Sequence, residues 1–405
     1  MKVLHIIASM DPRSGGPAEG VTQIGNTLRS LDVEQHVLTL DPPGSQFEQL
    51  ANRFIYPMGR RRNAGRGWLD RARNWANYSP GALAWGRAHL HEFDACVVNG
   101  LWNYSTRVAR QLLVGSGVPY VVYPHGMLDP WFRSHYPLKH AAKQMLWTFN
   151  EGVLVREADA VLFTCEEERL LARRTFRPYS ARERVIAYGA GAPPPPEPEQ
   201  IAQFRALLPA LGDRPYILFL SRIHEKKGCD LLVDAFAKVA AGEPDLDLVI
   251  AGPDQVGLAT GLRARAAKLG IADRIHWPGM VGGAAKYGAF RGARAFILPS
   301  HQENFGIVVA EALACGCPVL ISDKVNIWRE IEAAGAGIVA PDTAQGTHSL
   351  LTRFLALDAA EVAAMVESGK RLFDERFNTV AAARDLVSVI RDLRAGQKPP
   401  RWPAD

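Results

Sequence analysis

The stretch that decides the fold is Ile297-Leu-Pro-Ser-His-Gln-Glu-Asn-Phe-Gly-Ile-Val-Val-Ala-Glu-Ala-Leu-Ala-Cys-Gly-Cys-Pro-Val-Leu-Ile-Ser-Asp323. It reads as strand, loop, helix, strand. Pro299 and Ser300 end an apolar run. Ile307–Ala314 is rich in helix formers, Gly316 and Pro318 stop it, and Val319–Ile321 is a second buried strand. The amides of Phe305, Gly306 and Ile307 fall where the helix begins. Amides there lack an intrahelical acceptor, and the helix dipole adds partial positive charge, so the turn suits an anion. Glu303 and Glu311 add two carboxylates eight residues apart. The combination fits a ligand with phosphate and several hydroxyls.

Working outward, Phe219-Leu-Ser-Arg-Ile-His-Glu-Lys-Lys-Gly228 closes another apolar run and leads into a helical segment, Asp230–Ala240. Arg222 offers a bidentate fork for phosphate oxygens and Lys227 a point charge, although a solvated charged loop reads the same way. Strand-like runs alternate with helical segments along most of the chain. The first half has Val3–Ala8, Glu34–Leu40, Ala95–Val98, Tyr120–Tyr123, Ala160–Phe163 and Val185–Ala187. The second has Tyr216–Leu220, Leu246–Ala251, Ile275–Trp277, Ala295–Leu298, Val319–Ile321 and Gly337–Val339. This pattern predicts an α/β protein of parallel, doubly wound sheets, with ligands beyond the carboxyl ends of the strands. Ala192-Pro-Pro-Pro-Pro-Glu-Pro198 breaks the alternation near mid-chain. Prolines cannot extend a sheet interior, so 193–198 reads as a linker between domains 1–192 and 199–376. A final helix falls within 377–395, and 396–405 reads as a frayed tail.

In the first half, Ser14-Gly-Gly-Pro-Ala18 opens the first helix. Gly16 permits close backbone approach, but the full dinucleotide fingerprint is missing. Asn99-Gly-Leu-Trp102 and Tyr123-Pro-His-Gly-Met127 each follow an apolar run, which puts Asn99, Trp102 and His125 at strand ends. Asp245-Leu-Asp247 resembles a metal-binding acidic triplet, but it opens a strand and reads as a surface turn.

A composition of 47% hydrophobic and 22% charged residues is that of an ordinary soluble protein. Five scattered cysteines argue against a disulfide framework and for a cytoplasmic setting, and Cys315-Gly-Cys317 is too tight for half a zinc site. The N-terminus reads as a buried strand, not a signal peptide. No apolar run is long enough to span a membrane. Net charge is +5, and seven arginines lie between residues 53 and 75 against one acid, with Trp68 and Trp75 interleaved. That stretch is either a solvated basic face or a patch for peripheral contact with an anionic membrane. No nucleic-acid motif accompanies it.

The ordered set of motifs resembles the GT-B-fold retaining glycosyltransferases of family 4. It comprises Gly15-Gly-Pro-Ala18, Gly100-Leu-Trp102, Pro124-His-Gly-Met-Leu-Asp-Pro-Trp131, Tyr188-Gly189, Ser221-Arg222 with Lys227-Gly228, Ala251-Gly-Pro253 and the Glu303/Glu311 pair. It continues through Ala314-Cys-Gly-Cys-Pro-Val319 and Asn326-Ile-Trp-Arg-Glu-Ile331. The resemblance implies two Rossmann-like domains facing a cleft, with the last helix crossing back to the first. It implies that Arg222 and Lys227 hold a donor diphosphate and that Glu303 meets donor-sugar hydroxyls. Asn304, Phe305, Gly306 and Ile307 would supply adjacent contacts, Glu311 would bind the ribose, and His125 would face the sugar. Gly16 would lie near the phosphates, with Asn99 and Trp102 on the acceptor side. Relatives often carry His where Asn99 stands. No cofactor and no metal is implied. The expected partners are a UDP- or GDP-sugar and a polysaccharide or lipid-linked oligosaccharide acceptor, with the enzyme either free in the cytoplasm or peripheral on the inner face of the cell membrane. Two other readings stand: a synthase of a soluble sugar phosphate or disaccharide, and a sugar-nucleotide-binding protein without transferase activity.

Overall fold

A computed structural model describes residues 1–11, 16–45, 54–60 and 78–403. The chain forms two compact units, one of Met1–Tyr188 with Thr379–Asp405 and one of Gly189–Asn378. The first unit contributes strands β1 (Lys2–Ile7), β2 (Glu34–Thr39), β3 (Phe54–Pro57), β4 (Ala95–Asn99), β5 (Tyr120–Tyr123), β6 (Ala160–Phe163) and β7 (Ala181–Val185). The second contributes β8 (Tyr216–Leu220), β9 (Asp247–Ala251), β10 (Ile275–Gly279), β11 (Ala295–Leu298), β12 (Val319–Ser322) and β13 (Gly337–Ala340). A last strand, β14 (Arg401–Trp402), returns to the first unit.

Among the described residues the first sheet runs β14-β7-β6-β5-β4-β1-β2-β3, parallel except for β14, and the second runs β10-β9-β8-β11-β12-β13, parallel throughout. Both therefore reverse strand order once, between β1 and β4 and between β8 and β11. Such a switch point opens a crevice at the carboxyl ends of the strands.

Strand pleating explains the near-continuous apolar runs, because both faces of a parallel sheet are covered. In the first unit Leu4, Ile6, Val98, Val122 and Phe163 fill one face. Val3, Val97, Val121 and Leu162 fill the other, against Ile24 and Leu28 of the Gly16–Ser30 helix. The Thr379–Arg394 helix adds Ala383, Leu386, Val387, Ile390 and Leu393 to that second face. Burying each of its larger side chains is worth about 1.5–3 kcal/mol, which is why this distant segment belongs to the first unit.

Four expectations differ from the structure. The two units meet at Tyr188 and Gly189, just before the proline run, which packs as part of the second unit: Pro198 opens a helix, and the Pro194 and Pro195 carbonyls accept from Arg291 and Gln200. Segment 396–403 is tied down, because β14 pairs antiparallel with β7 and Arg173 sits 4.4 Å over the Trp402 ring. The strand expected at Val185–Ala187 is β7, shifted upstream: Glu183 is accommodated by Arg169, Arg173 and the Tyr179 hydroxyl, so a charged sequence can join the sheet. Asp247 is no surface turn. It is 1% exposed, 2.9 Å from Arg214 and 2.8 Å from His276 Nε2, a structural anchor whose charge these groups offset. Asp245, the other acid of that triplet, is exposed.

Candidate active site

The second unit gathers its polar groups at the β8–β11 switch point. After β8 the chain passes Arg222 and makes one short 3-10 turn, Glu225–Lys227. His224 caps this turn, its Nδ1 accepting from the Lys226 amide at 3.1 Å. Gly228 follows in the left-handed region, φ 65°. A Cβ there would overlap the Pro299 carbonyl oxygen, so glycine lets the loop rest directly on the end of β11. The His301 amide donates to the Lys226 carbonyl at 2.8 Å and fastens the two loops together.

That stitching brings Lys227, 6% exposed, against Glu303, and the ammonium donates to the carboxylate. Glu303 is held through its backbone as well: its amide donates to Lys324 O and its carbonyl accepts from Asn326 N, both at 3.0 Å. Asn326 Nδ2 lies 3.4 Å from Asn304 Oδ1, and Phe305 is buried edge-on to Phe377. Gly306, φ 72°, is the N-cap of the Ile307–Ala314 helix, so Gly306 and Ile307 supply the helix-start amides. One turn along, Glu311 meets Lys286 Nζ at 2.6 Å. Arg222 stays exposed, with Gln255 Oε1 3.4 Å from its Nη1. Lys226 is directed to Gln302 at 3.4 Å, so of the two adjacent lysines it is Lys227 that enters the Glu303 pair.

The first unit assembles the other residues at its own strand ends. Gly16 opens its helix exposed, and a Cβ there would meet nothing within 4 Å. Gly15 lies outside the described residues, as does the arginine-rich stretch apart from Phe54–Arg60. Asn99, 4% exposed, ends β4 and lies 3.3 Å from His125 Nε2. His125 adopts φ 50°, a left-handed conformation that His, Asn and Asp tolerate best among non-glycine residues. Its ring stacks on Tyr123 at 5.3 Å and meets Tyr188 edge-on at 5.9 Å. Burial among these rings lowers its pKa to about 4, so the imidazole is neutral near pH 7. Trp102, φ 68°, donates from Nε1 to the Met127 carbonyl at 3.1 Å and packs on Phe176. It is thus built into the wall behind the His125 loop. Glu168, 3% exposed, accepts from the Gly126 amide at 2.6 Å and from Thr164, holding that loop to β6.

Sequence reading missed the supporting residues Gln255, Lys286 and Glu168, and it gave no separate role to His224 and Asn326 within the motifs that contain them. Each acquires its role through contact. Among the described residues no group of three or more His, Cys, Asp or Glu side chains is placed to hold a metal ion. No described helix is long and apolar enough to cross a membrane.

Two Rossmann-like parallel sheets with glutamate, lysine and arginine gathered at the strand ends of the second are the architecture of a GT-B glycosyltransferase. The Glycosyl transferases group 1 model matches residues 201–372, and the Glycosyl transferase 4-like domain model matches residues 15–189. The chain belongs to this family of GT-B glycosyltransferases. It is 27% identical to the D-inositol 3-phosphate glycosyltransferase of Jonesia denitrificans over 252 residues, 60% of this chain and 59% of that one. The chain thus spans somewhat over half the length of that curated relative. Its fold is similar to that of sucrose-phosphate synthase from Thermosynechococcus elongatus, with a TM-score of 0.77, 22% identity and coverage of 98% and 99% of the two chains. It is likewise similar to that of Anabaena HepE, solved in complex with UDP and glucose, with a TM-score of 0.73, 18% identity and coverage of 97% and 100%.

Proposed function

We propose that the chain is a retaining, metal-independent glycosyltransferase. It moves a hexose-type sugar from a UDP- or GDP-sugar to a hydroxyl of a polysaccharide or lipid-linked oligosaccharide. The observation that carries this reading is the rim of the second unit, where Lys227, Glu303, the helix-start amides and Glu311 converge on one switch point. The likeness in fold to HepE, which was solved with UDP and glucose bound, supports a nucleotide-sugar donor.

Breaking an anomeric bond builds negative charge on the departing diphosphate and positive charge on the sugar ring. Lys227, Arg222 and the amides of Gly306 and Ile307 would stabilise the diphosphate, and preorganised donors of this kind are the largest single term in many enzymes. Binding would exchange partners. The diphosphate takes the Lys227 ammonium, and Glu303, freed of it, accepts hydrogen bonds from sugar hydroxyls. Glu311 would do the same for the ribose. A neutral His125 can donate one hydrogen bond to the sugar without adding a positive charge beside a developing cation. The acceptor hydroxyl attacks from the face the diphosphate leaves, and a phosphate oxygen takes its proton. Glu303 and Glu311 then act as ligands, not as a glycosidase acid–base pair.

The test is donor turnover, with product stereochemistry read by NMR. Retention of configuration, with Glu303→Gln giving less turnover and the unmodified chain giving no covalent adduct by mass spectrometry, is expected. A glycosyl-enzyme adduct on Glu303 of the unmodified chain, lost in Glu303→Gln, would instead make Glu303 a nucleophile. A second reading, a synthase of a soluble sugar phosphate or disaccharide, is favoured by the likeness to the inositol-phosphate and sucrose-phosphate enzymes. It predicts full turnover with a soluble acceptor alone.

A further inference from the structure

Five of the twelve large apolar side chains exposed on the described chain fall within residues 136–149. Leu138 is 87% exposed, Phe149 70% and Met145 62%, with Leu146 and Tyr136 beside them. The segment is the Pro137–Leu146 helix and the π-helical turn Trp147–Glu151 that continues it. At helical spacing Leu138, Ala142, Met145 and Phe149 share one side. The other side anchors the segment: Trp147 is buried and donates to the Pro178 carbonyl at 2.7 Å, and Gln144 donates to the Arg177 carbonyl and accepts from its amide. The apolar stripe is therefore held outward on a fixed support.

Its charge is one-sided. No acidic residue occurs between Asp129 and Glu151, whereas Arg133, Lys139 and Lys143 do, with His135 and His140. Lys139 lies 4.9 Å from the Tyr136 ring centroid, so a cation and an interfacial aromatic stand together at the edge of the stripe. Trp131 and Tyr136 extend that edge, ring against ring. Apolar side chains outward, cations without acids in the same stretch of chain and amphipathic aromatics at the margin are the recipe for a helix lying in a lipid headgroup layer. A protein partner fits less well. A ten-residue helix is about 15 Å long, and one stripe on it falls short of the roughly 800 Å² per partner of a stable complex.

We propose that residues 136–149 dock the chain on an anionic lipid surface, with Leu138, Met145 and Phe149 entering the acyl boundary and Arg133 and Lys139 meeting the headgroups. This surface is separate from the arginine-rich stretch at 53–75. The docking does not depend on the transfer reading; only its use, presenting the first unit's rim to a lipid-linked acceptor, rests on it.

The test is co-sedimentation of the full chain with vesicles of phosphatidylcholine alone and of phosphatidylcholine mixed with phosphatidylglycerol. The expected result is binding to the anionic vesicles and a drop in partitioning of about tenfold or more in Leu138→Glu/Phe149→Glu, from the lost insertion of two apolar side chains. Both side chains are exposed, so the melting temperature should hold; if the double variant does not fold, Leu138→Ser/Phe149→Ser replaces it. Three results overturn the proposal. One is no binding by the unmodified chain. Another is undiminished binding by the variant, which would leave the 53–75 arginines to carry it. The third is self-association of the unmodified chain, abolished in the variant, with no vesicle binding, which would make a second copy the occupant. The assay contains no donor, so a negative result leaves the transfer reading standing.

Discussion

The two units repeat one strand order and use it differently. At the β8–β11 switch point the second unit sets charges in pairs, buried Lys227 with Glu303 and Lys286 with Glu311, together with the helix-start amides and the unburied Arg222. At its strand ends the first unit presents a neutral imidazole between two tyrosines, a buried asparagine and two non-glycine residues with positive φ. One rim is electrostatic, the other conformational. The same topology therefore fixes where a site falls, and the loop sequences alone decide whether it holds charge or shape.

If that contrast is right, removing a charge from the second rim should cost activity more than any change in the first. Lys227→Ala should lower donor turnover about 100–1,000-fold, the loss usual for one preorganised donor in a buried site, and weaken donor-induced thermal stabilisation. A fall under tenfold would mean that the buried pair with Glu303 is structural. Gly228→Ala tests the stitching of the two loops. A Cβ would collide with the Pro299 carbonyl at a positive φ, so destabilisation of about 1–3 kcal/mol is expected in denaturant melts. Turnover should fall with it, because the turn positions Lys227. Arg222→Lys should leave stability unchanged, since the side chain is exposed, and reduce kcat/KM about tenfold through loss of a planar fork.

The smallest effect should come from the conformational rim, in His125→Asn, which keeps a residue tolerant of positive φ. Burial holds the His125 pKa at about 4 in the folded chain, against about 6.5 when unfolded. Below pH 6.5 the unfolded chain takes a proton that the folded chain refuses. The neutral imidazole is thus at no disadvantage above pH 6.5, and stability declines as pH falls from 6.5 to 4. Thermal melts over that range should show a shallower acid decline in His125→Asn than in the unmodified chain. Equal slopes would mean that His125 is not the group refusing the proton.

Much of this was legible because it depends on local chemistry. The strands of the second sheet follow from runs such as Tyr216–Leu220 and Val319–Ile321, in which every residue must be apolar to be buried on both faces. Arg222, Lys227 and Glu303 stood out because charges in the loops after such runs fall at strand ends, and Glu311 because it follows eight residues after Glu303 on the next helix. What was illegible depended on contacts between distant segments. The proline run looked like a free linker, yet the Pro194 and Pro195 carbonyls are bound by Arg291 and Gln200 of the second unit. Asp247 looked like a turn acid until Arg214 and His276 closed on it from other strands and loops. The terminal residues looked loose until β14 found an open sheet edge at β7.

By itself, then, the sequence determined the α/β class, the strand ends at which a ligand would sit and the residue types offered there, because periodicity, proline and glycine act over a few residues. Tertiary structure alone decided that Lys227, not Lys226, meets Glu303, that Lys286 answers Glu311, that His125 is kept neutral and that the 136–149 helix turns its apolar side outward. Each of these depends on which groups are brought within a few ångströms and how much water they exclude, and neither is encoded in the spacing of residues along the chain.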